Sequence, residues 1–411
     1  MAEIAFRDAL PADKEAVLAV VSAAFGIPHG SERWHHLEQD FSAPNRNWRV
    51  SEENGNVTGA LCVTSSRLRV GDGYLLKGDV GEVAVVPTRQ GAGIGSALMR
   101  DTVAWMREQG YDFSRLGGLV RFYSRFGYVP FTRRYVEFYL RSGVGAGAAT
   151  VHPAYLREPA ESHVFALSGE QERQRCRELD IACNGWRTGA LVASGAVPGG
   201  NVLVYKAGDR VLAWLQLNEF PIDRTEFESR LTIGGGAYET GRADALAALV
   251  AHVLRMAHSR GYDHVSARLP FDPELFAALT ASSLPYKAVE LHEAEAATMV
   301  QVLNARSLFA HLLPELKRRW RLAEVPVDKA ITFEIGGQVV TLALCPGAMA
   351  ITDEPGDETV SLSHSAVLTM ALGLHAPSYV LRQSARQLHP QVMALLGILF
   401  PEQLATSGTW G

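Results

Sequence analysis

One turn constrains this chain more than any other stretch. Val83, Ala84, Val85 and Val86 form a β-rich run that Pro87 stops, and Gly91, Gly93 and Gly95 then lead into a helical pattern. Alternating glycines remove side chains where the backbone must turn tightly, and they let an anion reach the amides. Beyond the turn Ile94, Leu98 and Trp105 share one helical face, while Arg100 and Arg107 share another. A strand, a glycine turn and a helix N-terminus in that order make a cradle for a pyrophosphate.

The rest of the chain narrows what such a cradle serves. At 411 residues the chain is too long for one ordinary domain. An apolar fraction of 47% and a charged fraction of 20% are those of a globular protein. The net charge of −5 is spread thinly and includes no lysine or arginine run, so nothing suggests a nucleic-acid partner. The first ten residues do not read as a signal peptide, and the most apolar late stretch, 393–400, is too short to span a bilayer. Cys62, Cys176, Cys183 and Cys345 show neither a CxxC spacing nor a disulfide framework, and Trp34-His35-His36 has no third ligand at a usable spacing. These features predict a cytoplasmic enzyme with no metal.

Read in order, residues 4–7 predict a strand and 12–25 a helix, after which 26–47 shows no clear period and reads as a loop. Its aromatics, with Phe25, Trp34 and Phe41 foremost, are candidates for a substrate-facing wall. Residues 48–50, 57–66 and 68–78 predict three antiparallel strands, with Asn54-Gly55 as a turn and Gly71-Asp72-Gly73 as a bend or bulge inside the third. The strand of the glycine turn starts near Asp79. After the helix come a strand at 113–119, the segment Phe122-Tyr123-Ser124-Arg125-Phe126-Gly127-Tyr128, and a strand at 132–140.

Residues 83–96, with Gln90, Gly93 and Gly95 in a Gln/Arg-x-x-Gly-x-Gly/Ala arrangement, resemble motif A of the GNAT acetyltransferase superfamily. The segment 122–128 resembles the Y-x-x-F-G-Y stretch that follows the next strand in the same superfamily. The resemblance implies acetyl-CoA as co-substrate, its pyrophosphate held by the amides of Gly91, Ala92, Gly93, Ile94, Gly95 and Ser96, with Gln90 also among the cofactor-binding residues. It further implies pantetheine and thioester contacts along Val83, Ala84 and Val85, with Gly118 and Leu119 on the neighbouring strand. Tyr123 matches the family's proton donor to the departing thiolate, a task for which a phenol has the required O–H.

Residues 141–150 are small and glycine-rich and read as a linker. The stretch beyond repeats the outline of the first domain: a hairpin through Gly208-Asp209, a strand at 231–238, a helix at 243–257, a strand at 264–269, and a helix after Asp272-Pro273. Gly234-Gly235-Gly236 is not followed by the Gln/Arg-x-x-Gly-x-Gly pattern, so this copy reads as degenerate, with one acetyl-CoA per chain. From about Gln301 the pattern changes to an amphipathic helix at 304–320, a hairpin through Gly336-Gly337, strands at 348–352 and 359–362, and helices at 363–372 and 394–400. That unit resembles the sterol-carrier-protein-like domain that closes the enhanced-intracellular-survival (Eis) family of acetyltransferases.

The expected fold is therefore α+β and α/β. Tandem GNAT-like domains (1–145 and a degenerate 146–300) precede a sterol-carrier-protein-like α+β domain (301–411). The resemblance implies transfer of acetyl to a small-molecule amine, aminoglycosides and other polyamines among them, and a homo-oligomer, commonly a hexamer. It assigns the general base to the terminal carboxylate, here Gly411. Glu82, on the motif strand, is the alternative. A second class stays open: a non-catalytic acyl-CoA or lipid-binding protein on the same scaffold.

Overall fold

A computed structural model describes residues 4–140, 163–183, 201–219, 231–383 and 388–403. Strand β1 (Ile4–Asp8) is followed by helices α1 (Lys14–Phe25) and α2 (Glu32–Phe41) and by strands β2 (Arg46–Glu53), β3 (Asn56–Val70) and β4 (Gly73–Val85). Helix α3 (Ile94–Glu108), strand β5 (Phe113–Leu119), the single-turn helix α4 (Val120–Tyr123) and the short strand β6 (Val129–Pro130) come next. Strands β7 (Arg133–Tyr139) and β8 (Val164–Ala166), helix α5 (Gly169–Cys183) and strands β9 (Val202–Ala207), β10 (Arg210–Glu219) and β11 (Leu231–Tyr238) follow. Then come α6 (Ala243–Ser259), β12 (His264–Ala267), α7 (Pro273–Ala281), β13 (Lys287–Leu291) and β14 (Ala296–Val302). The last stretch holds α8 (Ala305–Ala323), β15 (Lys329–Ile335), β16 (Gln338–Cys345), β17 (Ala348–Thr352), β18 (Glu358–Leu362), α9 (His364–Ala371), α10 (Pro377–Val380) and α11 (Pro390–Leu399).

These elements form two compact units that do not follow contiguous chain boundaries. The first takes residues up to 68, 72–131 and 293–367; the second takes 69–71, 132–292 and 368 onward. The first unit contains a sheet of order β1-β2-β3-β4-β5-β14-β6 and a four-stranded sheet of order β17-β16-β15-β18. The second contains the sheet β13-β7-β12-β11-β10-β9-β8. Strand β7, expected in the first domain, pairs antiparallel with β12 and β13. Strand β14 instead pairs antiparallel with β5 and β6. Each seven-stranded sheet thus takes in a strand across an expected boundary: β7, from within 1–145, joins the second, and β14, which straddles residue 300, joins the first.

Two local expectations are corrected. Residues 32–41 form helix α2 where a loop was expected, because Ser31 caps it: its Oγ accepts from the Trp34 amide at 3.2 Å, and Glu32 sits in the first turn. Gly71-Asp72 is the turn between β3 and β4, with no bulge inside a single strand, and Gly71 has φ +56°. Gly73 must lack a side chain because a Cβ there would stand 2.6 Å from the His311 carbonyl oxygen of α8. The Asn54-Gly55 turn forms as expected, both residues having positive φ.

In the first unit, α1 and α2 cover one face of the large sheet, with Val17, Leu18, Val21, Trp34, Trp48, Val50 and Ala84 in one apolar cluster. Helix α3 covers the other face through Leu98, Met99, Val103 and Met106, packed with Leu61, Val63, Val80 and Leu116. Helix α8 is tied to the same unit by His311, whose Nδ1 lies 2.8 Å from the fully buried Asp112 carboxylate. In the second unit, α6 buries nearly its whole length among Leu215, Ile233, Val265 and Leu275.

Candidate active site

The site is built where β4 and β5 part. These two strands run parallel and are paired from Lys77–Phe113 to Val80–Leu116, and the pairing stops there. Strand β5 continues, held on its far edge by β14 as far as the Leu119–Ala296 pair. Strand β4 turns away because Gly81 is followed by Glu82 in the left-handed region at φ +52°. That conformation is uncommon for a residue with a side chain and marks a local irregularity. Its effect on side-chain direction is visible: Val80 and Val83 both border the α3-side cluster although they are three positions apart, while Ala84 lies in the α1/α2 cluster. A wedge therefore opens between the strands. Its vertex is pinned by Asp79, whose carboxylate lies 2.7 Å from the buried Lys77 Nζ and 3.5 Å from Arg115 Nη1 across the strand pair.

The glycine turn lies at the end of β4. Gly91 and Gly93 have φ +78° and +83°, conformations that favour glycine, and a Cβ at either would meet nothing within 4 Å. Gly93 is the N-cap of α3 and supplies no side-chain cap, so the first-turn amides are left to an external acceptor. The Gln90 side chain folds back, its Nε2 donating to the Val85 carbonyl at 3.2 Å, and Gly95 packs beside Val85. Chemically the turn is an open set of N–H donors at the positive end of a fifteen-residue helix, which suits a pyrophosphate.

Tyr123 stands on the other arm of the wedge. Helix α4 directly continues β5, and the Cε2 edge of the Tyr123 ring lies against Gly118, with Phe122 edge-on at a centroid distance of 4.9 Å. Its hydroxyl has no hydrogen-bond partner among the described residues, and burial pushes its pKa up, which keeps the proton on at neutral pH. Tyr128 differs: it is buried, and its hydroxyl shares a 2.7 Å hydrogen bond with Ser114 Oγ, which in turn donates to the Gly78 carbonyl.

Glu82 lies on the opposite face. Its strongest charged neighbours are Arg33, Arg46 and Asp40, on and after α2, and burial raises its carboxyl above the usual range. Tyr123 and Glu82, the two proton-handling candidates within the described residues, therefore flank the wedge from opposite sides of the sheet. Gly411 lies outside the described residues.

Of the three aromatic wall candidates, Trp34 and Phe41 lie together in the α1/α2 cluster, while Phe25 is exposed. Trp34 is only 6% exposed and packs in the α1/α2 core, Phe41 stacks on Trp48 at 5.8 Å, and Phe25 is exposed with the Arg33 guanidinium over its ring. Helix formation in 32–41 explains the first two, since Trp34, Leu37 and Phe41 fall on its inner face. The residues missed in the sequence are Asp79 and Arg115. A charged residue inside a hydrophobic strand facing a charged residue in the next strand was the available signal.

The second unit has a comparable strand–turn–helix at β11 and α6, but its chemistry is opposite. Glu239 lies at that turn with Arg175 and Arg210 each 2.6 Å from its carboxylate, and Asp244 in the first turn of α6 pairs with Arg242. An acid already meets the positive end of that helix.

The comparisons with known proteins agree with this geometry. The family described as "Acetyltransferase (GNAT) domain" matches residues 5–131. No curated protein matches the chain in sequence. Among solved structures, the chain is similar to a probable N-acyltransferase from Enterococcus faecalis V583 (TM-score 0.68, 12% identity, 98% of each chain covered). It is also similar to a GCN5-related N-acetyltransferase from Kribbella flavida (0.62, 17%, 98% of this chain and 97% of that one). A third is Eis1 from Mycobacterium abscessus (0.59, 14%, 99% of each). At these identities the structures speak for the fold over the full chain. Residues 5–131 match a GNAT acetyltransferase domain, and this match supports an enzyme of the GNAT class.

Proposed function

We propose that the protein transfers acetyl from acetyl-CoA to a small-molecule amine by direct attack within a ternary complex. The observation that carries this reading is the wedge itself: a strand gap with an open donor turn at one end and an unengaged phenol on its β5 arm. Acetyl-CoA supplies an activated acyl group and a thiolate leaving group. The amides from Gly91 to Ser96 and the α3 dipole hold the pyrophosphate, and the parted edge of β4 at Val83, Ala84 and Val85 accepts the pantetheine arm. The amine nitrogen bonds to the thioester carbon as the C–S bond breaks, a base takes the nitrogen's proton, and Tyr123 gives its own to the departing sulfur.

The base is the Gly411 carboxylate on the family resemblance. A second reading assigns it to Glu82, which has a raised carboxyl pKa and stands on the α1/α2 side of the wedge. Aminoglycosides and other polyamines are the acceptor classes that the resemblance implies. From the same resemblance we carry a sterol-carrier-protein-like fold for the last segment and a homo-oligomeric (hexameric) assembly, and from the cysteine usage a cytoplasmic location. Among the described residues no helix is long and apolar enough to cross a membrane.

The test is release of free CoA by untagged protein across an amine panel that includes aminoglycosides. Turnover with an amine supports the reading. Acetyl-CoA binding without turnover on any amine would favour the non-catalytic acyl-CoA-binding alternative.

A further inference from the structure

We infer that Gly118 is a positioning residue for Tyr123: its missing side chain is the seat on which the phenol ring rests. The inference rests on the reading of Tyr123 as proton donor. A Cβ built at Gly118 would fall 2.3 Å from Tyr123 Cε2, 3.0 Å from Cδ2 and 3.3 Å from Cζ. No real Cβ approaches a ring that closely, so any other residue at this position would have to displace the ring. The atom met is not the free end of a flexible chain. It belongs to a rigid ring closed in by Phe122 at 4.9 Å and Tyr128 at 6.4 Å between centroids.

The strand beneath cannot yield either. Gly118 is register-paired with Ala297 of β14, which is itself buried in the α3-side cluster. The preceding residue is a sharp contrast, because a Cβ at Gly117 would meet nothing within 4 Å. One glycine of the pair is thus required by the ring and the other is not, although both lie in the same strand. Because the Tyr123 hydroxyl has no partner among the described residues, ring packing alone sets where its proton is presented. The α-hydrogen of Gly118 is what lets the Cε2 edge of the ring close on the β5 arm of the wedge.

A double-mutant cycle tests this. Tyr123→Phe, Gly118→Ala and the double variant are compared for kcat, acetyl-CoA affinity by calorimetry and the alkaline limb of the kcat–pH profile. General acid catalysis contributes on the order of 10²-fold or more, so Tyr123→Phe loses about that much. Gly118→Ala is expected to lose about tenfold or more in kcat, with any change in acetyl-CoA affinity smaller than that loss. Its alkaline limb should move to lower pH as the displaced phenol becomes better solvated. The double variant should be no slower than Tyr123→Phe alone, because Gly118 acts only through the hydroxyl. Wild-type turnover in Gly118→Ala, or a further loss in the double variant, would overturn the role of Gly118 while leaving Tyr123 as donor. Full turnover in Tyr123→Phe would remove the donor assignment and this inference with it.

Discussion

The rings of Tyr123 and Tyr128 meet at 73° with centroids 6.4 Å apart, yet only Tyr128 has its hydroxyl engaged, by Ser114 Oγ at 2.7 Å. Two neighbouring phenols thereby differ: one is held by a hydrogen bond, and the other presents a hydroxyl with no partner among the described residues. Tyr128→Phe removes one buried hydrogen bond while Ser114 keeps its bond to the Gly78 carbonyl. The expected cost is about 1 kcal/mol in chemical denaturation, with kcat within a few-fold of wild type. A loss of turnover as large as that of Tyr123→Phe would reverse the assignment.

Glu82 gives a pH-dependent signature. Its carboxyl is raised above the usual range by burial, so in the interval between its ordinary and raised pKa the folded state holds more protons than the unfolded one. Stability therefore falls as pH rises through that interval. Glu82→Gln is expected to be more stable than wild type at neutral pH and equal to it below the ordinary carboxylate range. Melting curves between pH 4 and 8 check this, and the same variant's kcat distinguishes Glu82 from Gly411 as base.

Glu315 on α8 behaves in the opposite sense. The carboxylate is almost fully buried, bonded by Arg318, the Asp72 amide and Arg319, and its pKa is held down at about 2 against burial. Its stabilising contribution is complete above the ordinary glutamate range and is lost as pH falls toward 2. Glu315→Gln should destabilise the protein by a few kcal/mol at neutral pH, since it takes a buried carboxylate partner from Arg318 and Arg319. The difference from wild type should shrink steadily in acid denaturation curves.

The acids around the β11–α6 turn lead to a stoichiometry. Glu239 and Asp244 already meet the helix end at which a pyrophosphate would bind. Calorimetric titration should return one acetyl-CoA per chain, and a value of two would show that the second unit retains a donor site.

The strand exchange leads to a test by truncation. A fragment of residues 1–145 lacks β14 and leaves the outer edge of β5 unpaired, an open edge of the kind that templates association. That fragment is expected to aggregate. Residues 1–131 joined to 293–367 by a flexible glycine–serine linker should be soluble and folded by circular dichroism and gel filtration.

Much of this arrangement was legible in the residues, and the exceptions have physical causes. The glycine turn, α3, β5 and the Tyr123 segment declare themselves because their signals are local: glycine spacing, a helical apolar stripe and a short motif. Helix α2 was hidden because its only strong marker is one capping serine ahead of a polar decapeptide. The start of β4 was misplaced because Gly71, Asp72 and Gly73 look alike in sequence, and only the closeness of the His311 carbonyl separates the turn from the strand. Strand β14 went unread because Ala297 to Val302 are buried on both faces, so the alternation that reveals a half-exposed strand is missing. Pairing partners such as β14 with β5 lie far apart along the chain, and no local pattern carries them. The whole site depends on that pairing, whereas each half of it was visible alone.

Consider finally when during synthesis β14 becomes available. The nascent chain emerges from the ribosome in order, so the glycine turn, Tyr123 and the whole stretch through β13 are outside before the strand that closes the first sheet. The β5 edge must wait, exposed, until residue 302 has cleared the exit tunnel. A prematurely released chain would carry every residue of the donor cradle and still be inert. The first sheet is thus closed by a strand made long after the residues that line the glycine turn.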